Sequence, residues 1–100
     1  MGMVLMPSPT TVLKQAENLI YGDRANSYGS WSDNAACLAQ RWSRITGTKV
    51  HPLQATLMMV ELKLMRLEQD PTHRDSVIDA IGYLGLYGDL LDNNKTSVVE

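Results

Sequence analysis

The sequence predicts an all-α fold, a four-helix bundle, and three observations carry that prediction. Apolar residues recur at helical spacing over four separate stretches. Proline or glycine punctuates the junctions between them. No stretch alternates with the period of a strand over more than a few residues.

Each helix has its own signals. Ser8-Pro9 or Thr10 starts the first, and Leu13, Ala16, Leu19 and Ile20 recur through it, predicting a helix over 9–21. Gly22 suits its end, and the polar loop to Ser30 includes a turn at Gly29. Ser32 or Asp33 caps a second helix over 33–46, with Ala36, Cys37, Ala39, Trp42 and Ile45 as its apolar positions and Gly47 as its stop. His51-Pro52 opens the third helix, which runs to 68 or 69. Asp70 is read as the cap and Pro71 as the first residue of the fourth helix, over 71–92. The ordered core is thus expected over 9–92 of a single domain spanning 1–100, with 93–100 as a polar tail.

Composition bounds the function. One hundred residues make one small domain, which oligomerisation would help to stabilise. A formal net charge of −2 argues against coating long nucleic acid. Single Cys37 cannot form an internal disulfide, so a reducing, cytoplasmic setting is expected. No apolar run reaches the length of a membrane span, and Met1–Met6 lacks a signal-peptide pattern. The Asn94-Lys95-Thr96 sequon is read as chance.

The third and fourth helices carry charges where apolar residues would be expected, and such charges are costly unless paired or bound to something. On a helical wheel, Leu53, Leu57, Val60, Leu64 and Leu67 form one stripe and Met58, Leu62 and Met65 another. One stripe is expected in the monomer core and the other in an interface between copies, with the methionines mostly as core filler. Lys63 and Arg66 share the seam on one side, Glu61 and Glu68 that on the other. Gly82, Gly85 and Gly88 each cost about 1 kcal/mol against alanine, which suggests close helix contact or close approach of a ligand.

Lys63 and Arg66 are candidate phosphate contacts, or else ion-pair partners of Asp75 and Asp79 across antiparallel helices. His73 and Arg74 lie at the start of the fourth helix, where backbone amides attract anions, or are solvated surface residues. Asp75 and Asp79, spaced i,i+4, point the same way and with Glu61 could hold Mg²⁺. Alternatively Asp75 stabilises the helix dipole and Asp79 pairs with a cation. Arg24 is a candidate phosphate contact, and Tyr28 and Trp31 are candidate stacking partners for a base. Otherwise that loop packs its aromatics on the bundle. Tyr83 lies near the acidic face of the fourth helix, half-buried like Tyr87. There is no zinc-type Cys/His cluster and no phosphate-cradling glycine loop.

Asp23-Arg24, Tyr28-Gly29 and Trp31, then Leu62-Lys63-Leu64-Met65-Arg66-Leu67, then Pro71, His73-Arg74-Asp75-Ser76, Asp79 and Gly82-Tyr83 resemble small helical proteins of phages and prophages. The resemblance covers 12–91. The Tyr-Gly-Ser-Trp loop and the Asp-x-x-x-Asp helix are also similar to a phage nucleotide-modification-associated domain. More distantly, the helix order resembles the all-α nucleoside triphosphate pyrophosphatases of the MazG type, which are oligomers that bind Mg²⁺ through Glu-Glu-x-x-Glu and Glu-x-x-Asp runs. This chain departs from that pattern. It has Lys63 and Arg66 where a run of acids would stand, and it spaces Asp75 and Asp79 by four. The resemblance therefore implies a MazG-like bundle that attracts phosphate while its catalysis is left open.

The resulting expectation is a homo-oligomer, joined through helices 3 and 4, that captures a phosphorylated nucleotide, cyclic signalling nucleotides included, without hydrolysis. In a phage it would act as a sponge against host defence. One alternative is a Mg²⁺-dependent nucleoside triphosphate pyrophosphatase using Glu61, Asp75 and Asp79. Another is a structural oligomer whose charges form only internal ion pairs.

Overall fold

Proline starts and glycine stops place the helices close to where the sequence puts them. The computed structural model describes residues 9–21 and 30–93, which form α1 (Pro9–Tyr21), α2 (Trp31–Thr46), α3 (Pro52–Gln69) and α4 (Arg74–Asn93) and contain no strand. Gly47 closes α2 in the left-handed region (φ 74°), its N–H donating to the Ser43 carbonyl. The backbone N–H of His51 donates to the Gln54 side chain at 2.9 Å, and with Pro52 in the first turn this begins α3.

Two boundaries differ from expectation. α2 starts at Trp31, with Ser30 as the N-cap residue, so Trp31 belongs to the helix and not to the loop. α4 starts at Arg74, not Pro71. Asp70 instead ends α3, its N–H donating to the Arg66 carbonyl. Its side chain accepts from the Thr72 amide (3.1 Å) and hydroxyl (2.7 Å), while the His73 N–H donates to the Asp70 carbonyl at 3.0 Å. An aspartate that bonds two residues ahead favours a turn over helix continuation.

The Thr72 hydroxyl, and after it the Thr72 amide, hold the Asp70 carboxyl below the ordinary carboxylate range. The folded value lies below the unfolded one. The turn's contribution to stability is therefore complete above the unfolded value and is lost as pH falls through the folded value. Thr72→Val is expected to flatten the acid limb of the stability–pH curve, as measured by urea unfolding at a series of pH values.

α3 and α4 form an antiparallel hairpin with the most extensive contacts in the molecule; α2 packs on the other flank of α3, and α1 packs on α4. α1 and α4 run in the same direction, with Gln15 at the Arg74 end and Ile20 beside Gly82 and Gly85. Small residues line these contacts: Ala16, Ala35, Ala39, Ala55, Ala80 and Gly82 are all buried.

Small residues let the backbones approach closely, and this decides which face of α3 is covered. Ala55, Thr56 and Val60 are buried and Lys63 lies with them, so the core is centred on the seam that carries Lys63. The first stripe enters the core only along one edge, with Val60 buried and Leu53 and Leu67 half-buried, and the second stripe does not enter it. Leu57 and Leu64 of one stripe stay exposed, as do Met58, Leu62 and Met65 of the other, so Met58 and Met65 are not core filler. Val77, Leu84 and Leu91 are likewise exposed on α4.

The three glycines of α4 have different roles. A Cβ at Gly82 would lie 3.7 Å from Ile20 and Leu19 of α1, and one at Gly85 would lie 3.2 Å from the end of the Ile20 side chain. These two accommodate α1. Gly88 has nothing within 4 Å of that position. Gly88→Ala is expected to raise stability by about 0.5–1 kcal/mol through helix propensity alone, read as a higher urea midpoint at unchanged slope.

Candidate functional site

Polar groups follow one another along the α3–α4 seam. At the end beneath α2, the Trp31 indole N–H donates to the Thr56 hydroxyl oxygen at 3.0 Å. Thr56 is fully buried and passes its own proton to the Pro52 carbonyl at 2.9 Å, so the hydroxyl both accepts and donates. The Trp31 ring meets Tyr83 of α4 edge to face, with centroids 5.4 Å apart and planes at 60°. Trp31 is thus held from two helices.

Next along the seam, the Lys63 ammonium lies 3.1 Å from the Asp79 carboxylate, with side chains 18% and 21% exposed. Thr56 and Lys63 are two helical turns apart, ~10 Å along α3, and Asp79 and Tyr83 are one turn apart, ~6 Å along α4. The aromatic pair and the cation therefore share one edge at a spacing comparable to that between a base and the phosphates of a mononucleotide.

The third group lies near the α3–α4 turn. The Arg66 guanidinium is 3.3 Å from His73 Nε2, and His73 Nδ1 is 2.7 Å from the buried Ser76 hydroxyl. A guanidinium only donates, so Nε2 must accept and Nδ1 carries the proton donated to Ser76.

The structure brings Trp31, Lys63, Asp79 and Tyr83 into one seam, with Arg66 and His73 at its far end. Arg74 is exposed and donates to Gln15 of α1 at 2.6 Å, pointing toward α1 rather than the seam. Arg24 and Tyr28 lie outside the described residues. Thr56 and Gln15 are not among the candidate residues of the sequence, and Ser76 enters there only within the His73-Arg74-Asp75-Ser76 run of the resemblance. For Thr56 and Ser76 the available signal is an isolated polar residue on an otherwise apolar helix.

The acids do not converge. Among the described residues no three His, Cys, Asp or Glu side chains are grouped to hold a metal. Glu61 is exposed and lies roughly 200° around α3 from Lys63, Asp75 is exposed, and Asp79 already holds the Lys63 ammonium. These residues do not fit the expected Mg²⁺ triad within one chain, and no metal-assisted step follows from them. Among the described residues, no helix is long and apolar enough to cross a membrane.

Comparison with known proteins adds a family. Residues 11–91 match the family described as Domain of unknown function (DUF6378). The Gene 55 protein of Mycobacterium phage L5 is 34% identical over 77 residues, covering 76% of this chain and 49% of that protein. The Gene 55 protein of Mycobacterium phage D29 is 29% identical over 75 residues, covering 75% of this chain and 50% of that protein. The chain spans about half the length of the curated relatives it matches. No solved structure matches it. The matched span contains all four described helices but for the first two residues of α1 and the last two of α4, and by that match the chain belongs to the DUF6378 family.

Proposed function

We propose that this protein captures a phosphorylated nucleotide along the α3–α4 seam without hydrolysing it. The observation that carries the reading is the placement of the Trp31–Tyr83 pair on the same seam as Lys63. An aromatic face offers stacking to a base. An ammonium has three donors; Asp79 takes one and steadies the group, leaving others for phosphate oxygens. Arg66 adds a second cation at the turn end. Arg24 and Tyr28, from the segment before α2, are assigned to the phosphate and the base respectively, with Arg74 and His73 at the margin.

Capture rather than turnover is favoured because the acids are dispersed and the polar groups of the seam are engaged with one another. The resemblance to a phage nucleotide-modification-associated domain and to the MazG-type bundle supports the ligand class, cyclic signalling nucleotides included. The phage origin of the relatives supports a sponge role against host defence in the bacterial cytoplasm. Contact between copies through α3 and α4 is part of the reading, since both helices keep large apolar side chains exposed.

The test is an incubation of purified protein with nucleoside triphosphates and cyclic nucleotides, with and without Mg²⁺, followed by mass spectrometry of free, bound and converted ligand. Depletion of one nucleotide and its intact release on heating is expected. A monophosphate product that forms only with Mg²⁺ would replace this reading with the pyrophosphatase one. No depletion of any nucleotide would leave the charges as internal ion pairs.

A further inference from the structure

The charge of the chain is unevenly placed. Residues 34–60 contain no Asp or Glu but carry Arg41, Arg44 and Lys49, in a chain of formal net charge −2. Within that stretch α2 and the start of α3 enclose an open depression of about 500 Å³. Its floor is apolar, from Ala36, Ala39, Val50 and Pro52, and Arg44 and Lys49 stand at its margin. The loop that forms one wall is pinned, since the Val50 N–H donates to the Ser43 hydroxyl at 2.8 Å and that hydroxyl donates to the Ala39 carbonyl at 2.7 Å. Of its lining residues only Pro52 touches the α3–α4 seam, through the carbonyl that accepts from Thr56.

The outer face of α3 has the opposite character. Met58, Leu62 and Met65 are 40%, 43% and 43% exposed there, and Glu61 and Glu68 are exposed beside them, one i,i+7 step apart. This is a ridge of apolar side chains edged by carboxylates. Glu61 lies two and a half turns after Pro52, which places it ~180° around the helix from the residue that lines the groove. The carboxylate edge of the ridge and the basic groove therefore sit on opposite sides of α3, with the apolar side chains turned away from the groove by roughly a quarter turn or more. One copy cannot close them on each other, whereas two copies can.

We propose that the acidic apolar ridge of α3 docks into the basic groove beside α2 of a second copy, joining copies head to tail. The ridge supplies methionine and leucine to the apolar floor, and Glu61 and Glu68 meet Arg44 and Lys49 at its margin. Complementary charges fix the register and suppress ridge-to-ridge or groove-to-groove contacts, which would set like charges together. A contact between two different surfaces propagates, so the product is a closed ring or an open chain rather than a two-fold dimer. The proposal rests on the self-association in the reading above and not on its ligand. Nucleotide retention is measured separately, so either can fail alone.

Sedimentation velocity tests it on four forms of the chain: unaltered, Arg44→Glu/Lys49→Glu, Glu61→Lys/Glu68→Lys, and all four changes together. The unaltered chain is expected to self-associate in low salt and to weaken as salt rises. Each single-face reversal is expected to weaken association at least about tenfold. The fourfold form, with both signs exchanged, is expected to recover it. Far-UV circular dichroism confirms that each form is folded, and the salt series on the unaltered chain stands independently of any variant. An unaltered chain that stays monomeric in low salt overturns the proposal. So do single-face forms that associate like the unaltered chain, or a folded fourfold form that stays dissociated.

Discussion

Lys63→Met is expected to destabilise the protein by about 2 kcal/mol and to abolish nucleotide retention. Removing one partner of a fully buried ion pair costs about 3–5 kcal/mol, because the remaining charge is left without its counter-ion in a poor solvent. The Lys63–Asp79 pair is about one-fifth exposed, so water recovers part of that loss. The companion experiment is Lys63→Met with Asp79→Leu. Removing both charges replaces the pair with apolar volume in a largely covered position, and stability should return to within about 1 kcal/mol of the unaltered chain. Retention should not return, because the cation offered to phosphate is gone. Urea unfolding and the mass-spectrometric retention assay on the same three proteins read the two effects apart. If the double variant regains stability and still retains nucleotide, Lys63 serves only as a counter-ion and the phosphate contact is wrongly assigned.

Trp31→Ala is expected to have the other large effect, a loss of about 2–3 kcal/mol. The indole is half-buried, and its removal leaves a cavity between α2, α3 and α4. It also removes a hydrogen bond to a fully buried hydroxyl and the edge-to-face contact with Tyr83. The Thr56 proton still reaches the Pro52 carbonyl, so the hydroxyl is not stranded and the cost stays below that of an orphaned polar group. Trp31→Phe separates the contributions. It keeps an aromatic face and loses the N–H bond, for about 1 kcal/mol. With stacking carrying the base contact, Trp31→Phe keeps measurable nucleotide retention and Trp31→Ala has none. Equal retention in both variants would show that the indole braces the fold and does not touch the ligand.

These two residues also show how the site depends on the fold. The sequence places Trp31 in a loop with Tyr28, and it sits instead in the first turn of α2. That position lets it bridge Thr56 and Tyr83, neither of which is near it in the chain. The sequence leaves two fates for Lys63, a ligand contact or an ion pair with Asp75 or Asp79. The structure pairs it with Asp79, because i,i+4 spacing puts Asp79 a turn deeper along the seam while Asp75 stays in the exposed first turn.

What the sequence determined by itself is local. Helix class, helix number and most ends follow from short-range signals: Pro9, Pro52, Gly47 and the Gln54 side chain back-bonded to His51. Each acts within a turn of its own position, so no distant contact is needed to read it. The Asp70–Thr72 turn is not legible in the sequence because a cap and a turn use the same side-chain chemistry, and only the geometry of the hairpin selects between them. Tertiary structure decided which face of α3 is inside. The wheel ranks faces by apolar content and favours the leucine stripes. The fold instead centres on the face where Ala55 and Thr56 let α2 and α4 approach, which carries Lys63 and takes in only the Leu53, Val60 and Leu67 edge of the first stripe. Close approach of backbones buries more of each neighbour than a wide leucine contact would, and its consequence is an inward cation with exposed leucines and methionines around it.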